Sequence, residues 1–180
     1  MVAIDVRGAL RVERERRAAA QASSAGGQGA QRPPQVAACQ AAEQVLRESG
    51  RSCQFAELDA YGVATGVSKG LFYIPNFISE PEEDALKTFI DAEPSEKWVA
   101  AGERRMLNWG GRPGEARIRE DLPSCITLLV ERMVSAGVYT VEGAPNHCLV
   151  NEYLLGAGIL PHQDGALYAP CVATITLEGP

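Results

Sequence analysis

The stretch HCLVNEYLLGAGILPHQDGALYAPCVATITLEG, residues 147–179, decides the fold. If Cys148 to Leu154 is a strand, side chains alternate, so Leu149, Asn151 and Tyr153 point one way while Val150, Glu152 and Leu154 point the other. Asn151 and Tyr153 then share a face. Buried polar groups need partners, which here means either a bound polar ligand or backbone groups of the fold. Leu155 to Gly158 supplies a turn, Ile159 to Asp164 begins another extended segment, and Cys171 to Leu177 is an apolar strand. His162 and Asp164 are separated by one residue, so in extended chain imidazole and carboxylate lie on one side with Gln163 opposite. A 2-His-1-carboxylate metal triad receives two of its three ligands in this way, although a bare H-x-D is a weak signal. His147 has the parity of Asn151 and Tyr153 and reads as structural rather than as a ligand.

Upstream, LFYIPNFI (Leu71 to Ile78) has strand composition, with a Pro suited to an edge. Ser79 and Glu82 form a capping box, and Ala85, Leu86, Phe89 and Ile90 then recur on one helical face until Pro94. A second helix follows Asp121, with Pro123 in its first turn, Leu122, Ile126, Leu129 and Met133 at helical spacing, and Gly137 as its stop. A short helix around AAEQVLRES ends at Gly50. Between the two longer helices, RRMLNWGGRPG (Arg104 to Gly114) fits neither a helical nor a strand period. It reads as a turn with a core Trp or as a loop over a cavity.

The first 35 residues are poor in aromatics and rich in Ala, Gly, Gln and Arg, a composition expected to stay disordered. Asp5, Glu13 and Glu15 count against an organelle transit peptide. Of 17 basic and 23 acidic residues, six Arg and three acids fall in residues 1–40, net +3, which leaves net −9 for residues 41–180. That acidic balance gives no independent support to a phosphate-binding surface. No run of about 18 apolar residues is present to form a membrane-spanning helix, and no membrane partner is expected. The five cysteines are widely spaced and contain no C-x-x-C, which disfavours a zinc ribbon or a disulfide framework and suits a reducing compartment.

The ordered set N-x-Y, Gly-rich turn, P-H-x-D-G and apolar strand resembles the AlkB branch of the Fe(II)/2-oxoglutarate-dependent dioxygenases. With IPNFIS and the R-x-L-N-W-G-G segment it looks most like the subfamily of the sixth AlkB homologue of animals and plants. The resemblance covers roughly residues 70 to 180. It implies an α+β, mainly β fold: an incomplete double-stranded β-helix, or jelly roll, with N-terminal helices packed on it and a disordered N-terminal tail. The expected division is 1–66 as an extension and 67–180 as the N-terminal portion of a dioxygenase domain.

By the same resemblance His162 and Asp164 are catalytic iron ligands and Asn151 and Tyr153 bind 2-oxoglutarate. Arg105, Asn108 and Trp109 belong to a loop near the substrate mouth, where Leu107 stands in place of the family's more frequent Gln. The activity implied is oxidative demethylation or hydroxylation of an alkylated substrate, with O2 consumed and 2-oxoglutarate decarboxylated to succinate. Alkylated nucleic acid is the family's usual substrate, and nucleus and cytoplasm its usual residence. The family's third ligand, a downstream His, and the Arg that receives 2-oxoglutarate do not occur after Asp164. The chain is therefore expected to be truncated and inactive alone; the alternative is an incomplete fragment acting as an interaction or regulatory module. Oligomeric state is not readable from the sequence.

Overall fold

The computed structural model describes residues 1–7, 34–50, 58–63, 70–111 and 120–178. They divide into two compact units: residues 1–34, 92–121 and 146–180 form one, and residues 35–91 and 122–145 the other. The class is mixed α/β rather than mainly β. No helix among the described residues is long and apolar enough to cross a membrane.

The first unit is built on one five-stranded sheet: β1 (Val2–Arg7), β2 (Val99–Ala101), β3 (Arg104–Gly110), β4 (His147–Tyr153) and β5 (Ala173–Leu177), in the order β2-β3-β4-β1-β5. β2, β3 and β4 pair antiparallel, whereas β1 runs parallel to both of its neighbours. The register gives the sheet two chemically different faces. Ile4, Leu107, Trp109, Cys148, Val150, Ile175 and Leu177 lie in matching register and are each at most 6% exposed, so this face is core. The opposite face carries Asn108, His147, Asn151, Tyr153, Thr174 and Thr176. A second, facing sheet is not found among the described residues, so the double-stranded β-helix is not seen as such.

Several expectations are corrected. Residues 2–7 of the supposedly disordered tail form β1, with Ala3 and Ile4 both buried; the helix read around AAEQVLRES is present and starts earlier, spanning Gln35–Glu48. Residues 8–33 and 51–57 lie outside the described residues. LFYIPNFI is not a strand apart from a single bridge at Phe72. Pro75 removes a donor and Asn76 takes φ 54, a left-handed value that ends extended pairing. Leu154 to Val172 carries turns but no strand, so His162 and Asp164 stand on irregular backbone. Arg104 to Gly110, read as a loop, is β3.

Among its described residues the second unit holds three α-helices, α1 (Gln35–Glu48), α2 (Glu80–Asp91) and α3 (Ser124–Ser135). Ser79 precedes α2 as read, and its backbone N–H donates to Glu82 Oε2 at 2.7 Å. Gly137, at φ 76, stops α3. Glu82 does more than close the helix end. It is fully buried and accepts from both guanidinium nitrogens of Arg132, at 2.6 and 3.2 Å, and from Ser49 Oγ at 2.6 Å. Arg132 also donates to the Phe77 carbonyl at 3.0 Å. Burial alone would raise the Glu82 carboxyl, but the hydrogen bonds from Arg132, Ser49 and the Ser79 backbone outweigh it and hold the group at about 2.

Candidate functional site

β4 presents the polar residues of the candidate site as their alternation requires. Asn151 and Tyr153 share a face with His147 and Leu149, and both are largely buried, at 7% and 8% exposed. Their cross-strand partners on β3 are Met106 and Arg104. His147 is held in the sheet, its Nε2–H donating to Asn108 Oδ1 at 3.0 Å from the neighbouring strand. Tyr168 stacks on the imidazole at 6.1 Å between ring centroids and 26° between planes. The structural reading of His147 is the one its contacts support.

His162 and Asp164 are brought together despite their irregular backbone. His162 Nδ1–H donates to the Leu160 carbonyl at 2.9 Å, and its Nε2 lies 3.7 Å from Asp164 Oδ1. Metal-binding histidines are oriented in this way, one ring nitrogen tied to a carbonyl and the other presented. Two donors each about 2.0–2.2 Å from one ion stand no more than about 4.4 Å apart, so the spacing suits a shared cation. Both side chains are accessible, at 51% and 34% of their surface. Among the described residues no group of three His, Cys, Asp or Glu side chains is placed to hold a metal ion.

The Tyr168 phenol is pushed up by burial and by the Asp164 carboxylate, so Asp164 lies within electrostatic reach of the ring that covers His147. The Met1 amino group is lowered by burial and feels the Cys171, Asp164 and Cys148 side chains, which sets Asp164 near the start of β1 as well. Asn151 follows His147 by four residues, roughly 13 Å along a strand at about 3.3 Å per residue. Asp164 therefore lies toward the His147 end of β4, and Asn151 and Tyr153 continue the polar face away from it.

The supposed mouth residues take different places. Arg105 is on the other face of β3, ion-paired with Glu152 and stacked 4.1 Å over the Trp98 ring. Trp109 is a core residue, 1% exposed, whose Nε1–H donates to Glu93 Oε1 at 3.2 Å. Glu93 also faces Lys97 at 3.6 Å, and Lys97 in turn pairs with Glu120. Gly110 and Gly111 end the strand: Gly110 takes φ 82, and Gly111 N–H donates to the Asn146 carbonyl at 2.8 Å. Leu107 is fully buried on the apolar face, so no polar side chain is called for there. Asn108 alone of this group points to the polar face, where it anchors His147. Cys148 is no ligand candidate, since burial pushes its thiol up to about 12. Sequence reasoning missed Tyr168, which no periodicity marks, and missed Glu93 as the partner of Trp109.

No family model matches the chain. A Danio rerio protein named "Probable RNA/DNA demethylase ALKBH6" is 44% identical over 108 residues, which is 59% of this chain and 46% of that protein. An Arabidopsis thaliana protein named "Alkylated DNA repair protein ALKBH8 homolog" is 29% identical over 122 residues, 62% of this chain and 34% of its own length. The chain thus spans less than half the length of these two curated relatives.

Proposed function

We infer that this AlkB-like chain carries two ligands of an Fe(II)- and 2-oxoglutarate-dependent dioxygenase that oxidatively demethylates or hydroxylates an alkylated substrate. One observation supports this most directly: His162 is hydrogen-bonded through Nδ1 to the Leu160 carbonyl, and its Nε2 lies 3.7 Å from Asp164 Oδ1. Fe(II) held there would supply O2 activation coupled to decarboxylation of 2-oxoglutarate to succinate. The chain's own contribution is orientation. The hydrogen bond from Nδ1 to the Leu160 carbonyl would orient His162 toward the ion. Asn151 and Tyr153 are proposed to offer an amide N–H and a phenol O–H to the cosubstrate from a strand paired on both sides, a role their distance along β4 from the His162–Asp164 pair counts against. The sheet is proposed as one of the two sheets of a jelly roll. Nucleic acid is the substrate class suggested by the relatives' names; residence in nucleus and cytoplasm is proposed on the resemblance alone.

Titration of the protein with Mn(II), a stand-in for Fe(II) that tolerates air, is the test. The reading expects binding that His162→Ala and Asp164→Ala each weaken at least tenfold, and that 2-oxoglutarate strengthens. Retention of affinity in either variant contradicts the ligand assignment. Succinate release with Fe(II) and a methylated oligonucleotide then tests catalysis. A second reading, a non-catalytic interaction module, is favoured by the lack of a three-donor cluster among the described residues. It expects no cosubstrate-enhanced metal binding and no succinate.

A further inference from the structure

In the helical unit, two sulfurs distant in sequence meet. Cys39 Sγ on α1 lies 3.7 Å from Cys125 Sγ on α3 and 3.5 Å from Ser124 Oγ. Both thiols are free. A disulfide requires about 2.05 Å between sulfurs, so the pair must close by roughly 1.6 Å, the scale of a side-chain adjustment rather than a helix rearrangement. One partner is reachable and the other sheltered: Cys39 is partly exposed, whereas Cys125 is fully buried in the first turn of α3. An accessible thiol beside a protected one is the arrangement in which oxidation of the first is captured by the second.

We propose that Cys39 and Cys125 form a redox-modification site, at which a peroxide-class oxidant generates an intramolecular disulfide joining α1 to α3. In the first step Cys39 sulfur attacks the peroxide: an S–O bond forms, the O–O bond breaks, sulfur is oxidised by two electrons and the leaving oxygen departs as water. Cys39 is then a sulfenic acid. In the second step Cys125 sulfur attacks the Cys39 sulfur. The S–S bond forms, the S–O bond breaks, and the hydroxyl leaves as water with the Cys125 thiol proton. Two thiols and one hydrogen peroxide give one disulfide and two waters.

Burial, together with the adjoining Cys39, raises the Cys125 thiol above its ordinary value, which assigns the first attack to Cys39. Such a bond in a reducing compartment is transient and reports oxidant exposure. Its consequence is mechanical. The link closes a loop of 86 residues and ties α1 to the helix that carries Arg132, so the oxidised unit is more resistant to unfolding.

The experiment treats the native protein with hydrogen peroxide, raised until the exposed Cys171 is measurably oxidised, then blocks remaining thiols with N-ethylmaleimide and digests without reduction. The proposal expects a Cys39–Cys125 peptide pair lighter by two hydrogens, reversed by dithiothreitol, and a melting temperature several degrees above that of the reduced protein. Cys39→Ser, a partly exposed position that tolerates the change, should fold and show neither effect. Recovery of both cysteines as separate maleimide adducts, over-oxidation of Cys39 without a link, or a Cys39 link to another cysteine overturns it.

Discussion

Glu82→Gln removes a negative charge from a point with no exposed surface while keeping the shape of the side chain. The structure fixes the expected cost. Folding holds the carboxyl at about 2 instead of its ordinary 4.5, and that difference, at about 1.4 kcal/mol per pH unit, amounts to about 3 kcal/mol. The same figure follows independently from breaking one partner of a buried ion pair, which costs about 3–5 kcal/mol because Arg132 is left charged and largely enclosed. Because the folded-state value lies below the unfolded one, the stabilisation is present in full above pH 4.5 and is lost as pH falls toward 2. Urea unfolding of wild type and variant should therefore differ by about 3 kcal/mol at pH 7, with unchanged slope, and should converge as the pH is lowered. A difference below about 1 kcal/mol at pH 7, or one that stays constant between pH 4.5 and 2, would refute the reasoning.

Ile4→Ala should destabilise the protein by about 2–5 kcal/mol, since Ile4 is fully buried between β4 and β5; chemical denaturation reads this, and a neutral result would return residues 2–7 to an unstructured tail. Trp109→Phe removes the donor to Glu93 and should cost about 1.5–3 kcal/mol, the worth of a hydrogen bond to a charged group; a thermal melt equal to wild type would contradict the buried contact. Asn108→Ala deprives His147 Nε2–H of its acceptor, so the imidazole N–H proton should exchange with solvent much faster in NMR spectra, and unchanged exchange would argue against the pairing.

What the sequence disclosed was what is encoded locally. The cap at Ser79, the apolar spacing in α2 and α3 and the stop at Gly137 all act within one or two turns, so they were legible. The two-residue period of β4 likewise placed Asn151 and Tyr153 on one face. β3 was opaque because Arg105 takes a core-face register position, where Glu152 and Trp98 accommodate it, and this breaks the apolar alternation that marks a strand. β1 was hidden by its surroundings: six alternating residues are too few to stand out beside a long polar, Ala- and Gly-rich stretch. Leu71 to Ile78 misled in the opposite direction, since strand composition does not reveal that Asn76 adopts a left-handed backbone. The H-x-D residues lie 3.7 Å apart on irregular backbone, with His162 held by the Leu160 carbonyl, and not on the extended segment read from the sequence. The Glu82–Arg132 pair and the meeting of Cys39 with Cys125 join residues 50 and 86 positions apart, a separation at which a single sequence carries no pairing signal.

The placement of β1 bears on how the protein is made. Val2 pairs with Cys148 and with Ala173, partners 146 and 171 residues downstream. Residues 2–7 are synthesised well before either neighbour and pair only once β4 and β5 have emerged. At about 5–20 residues per second, they wait roughly 10–30 s with an apolar edge exposed, an interval in which chaperones, rather than the sheet, must shield them.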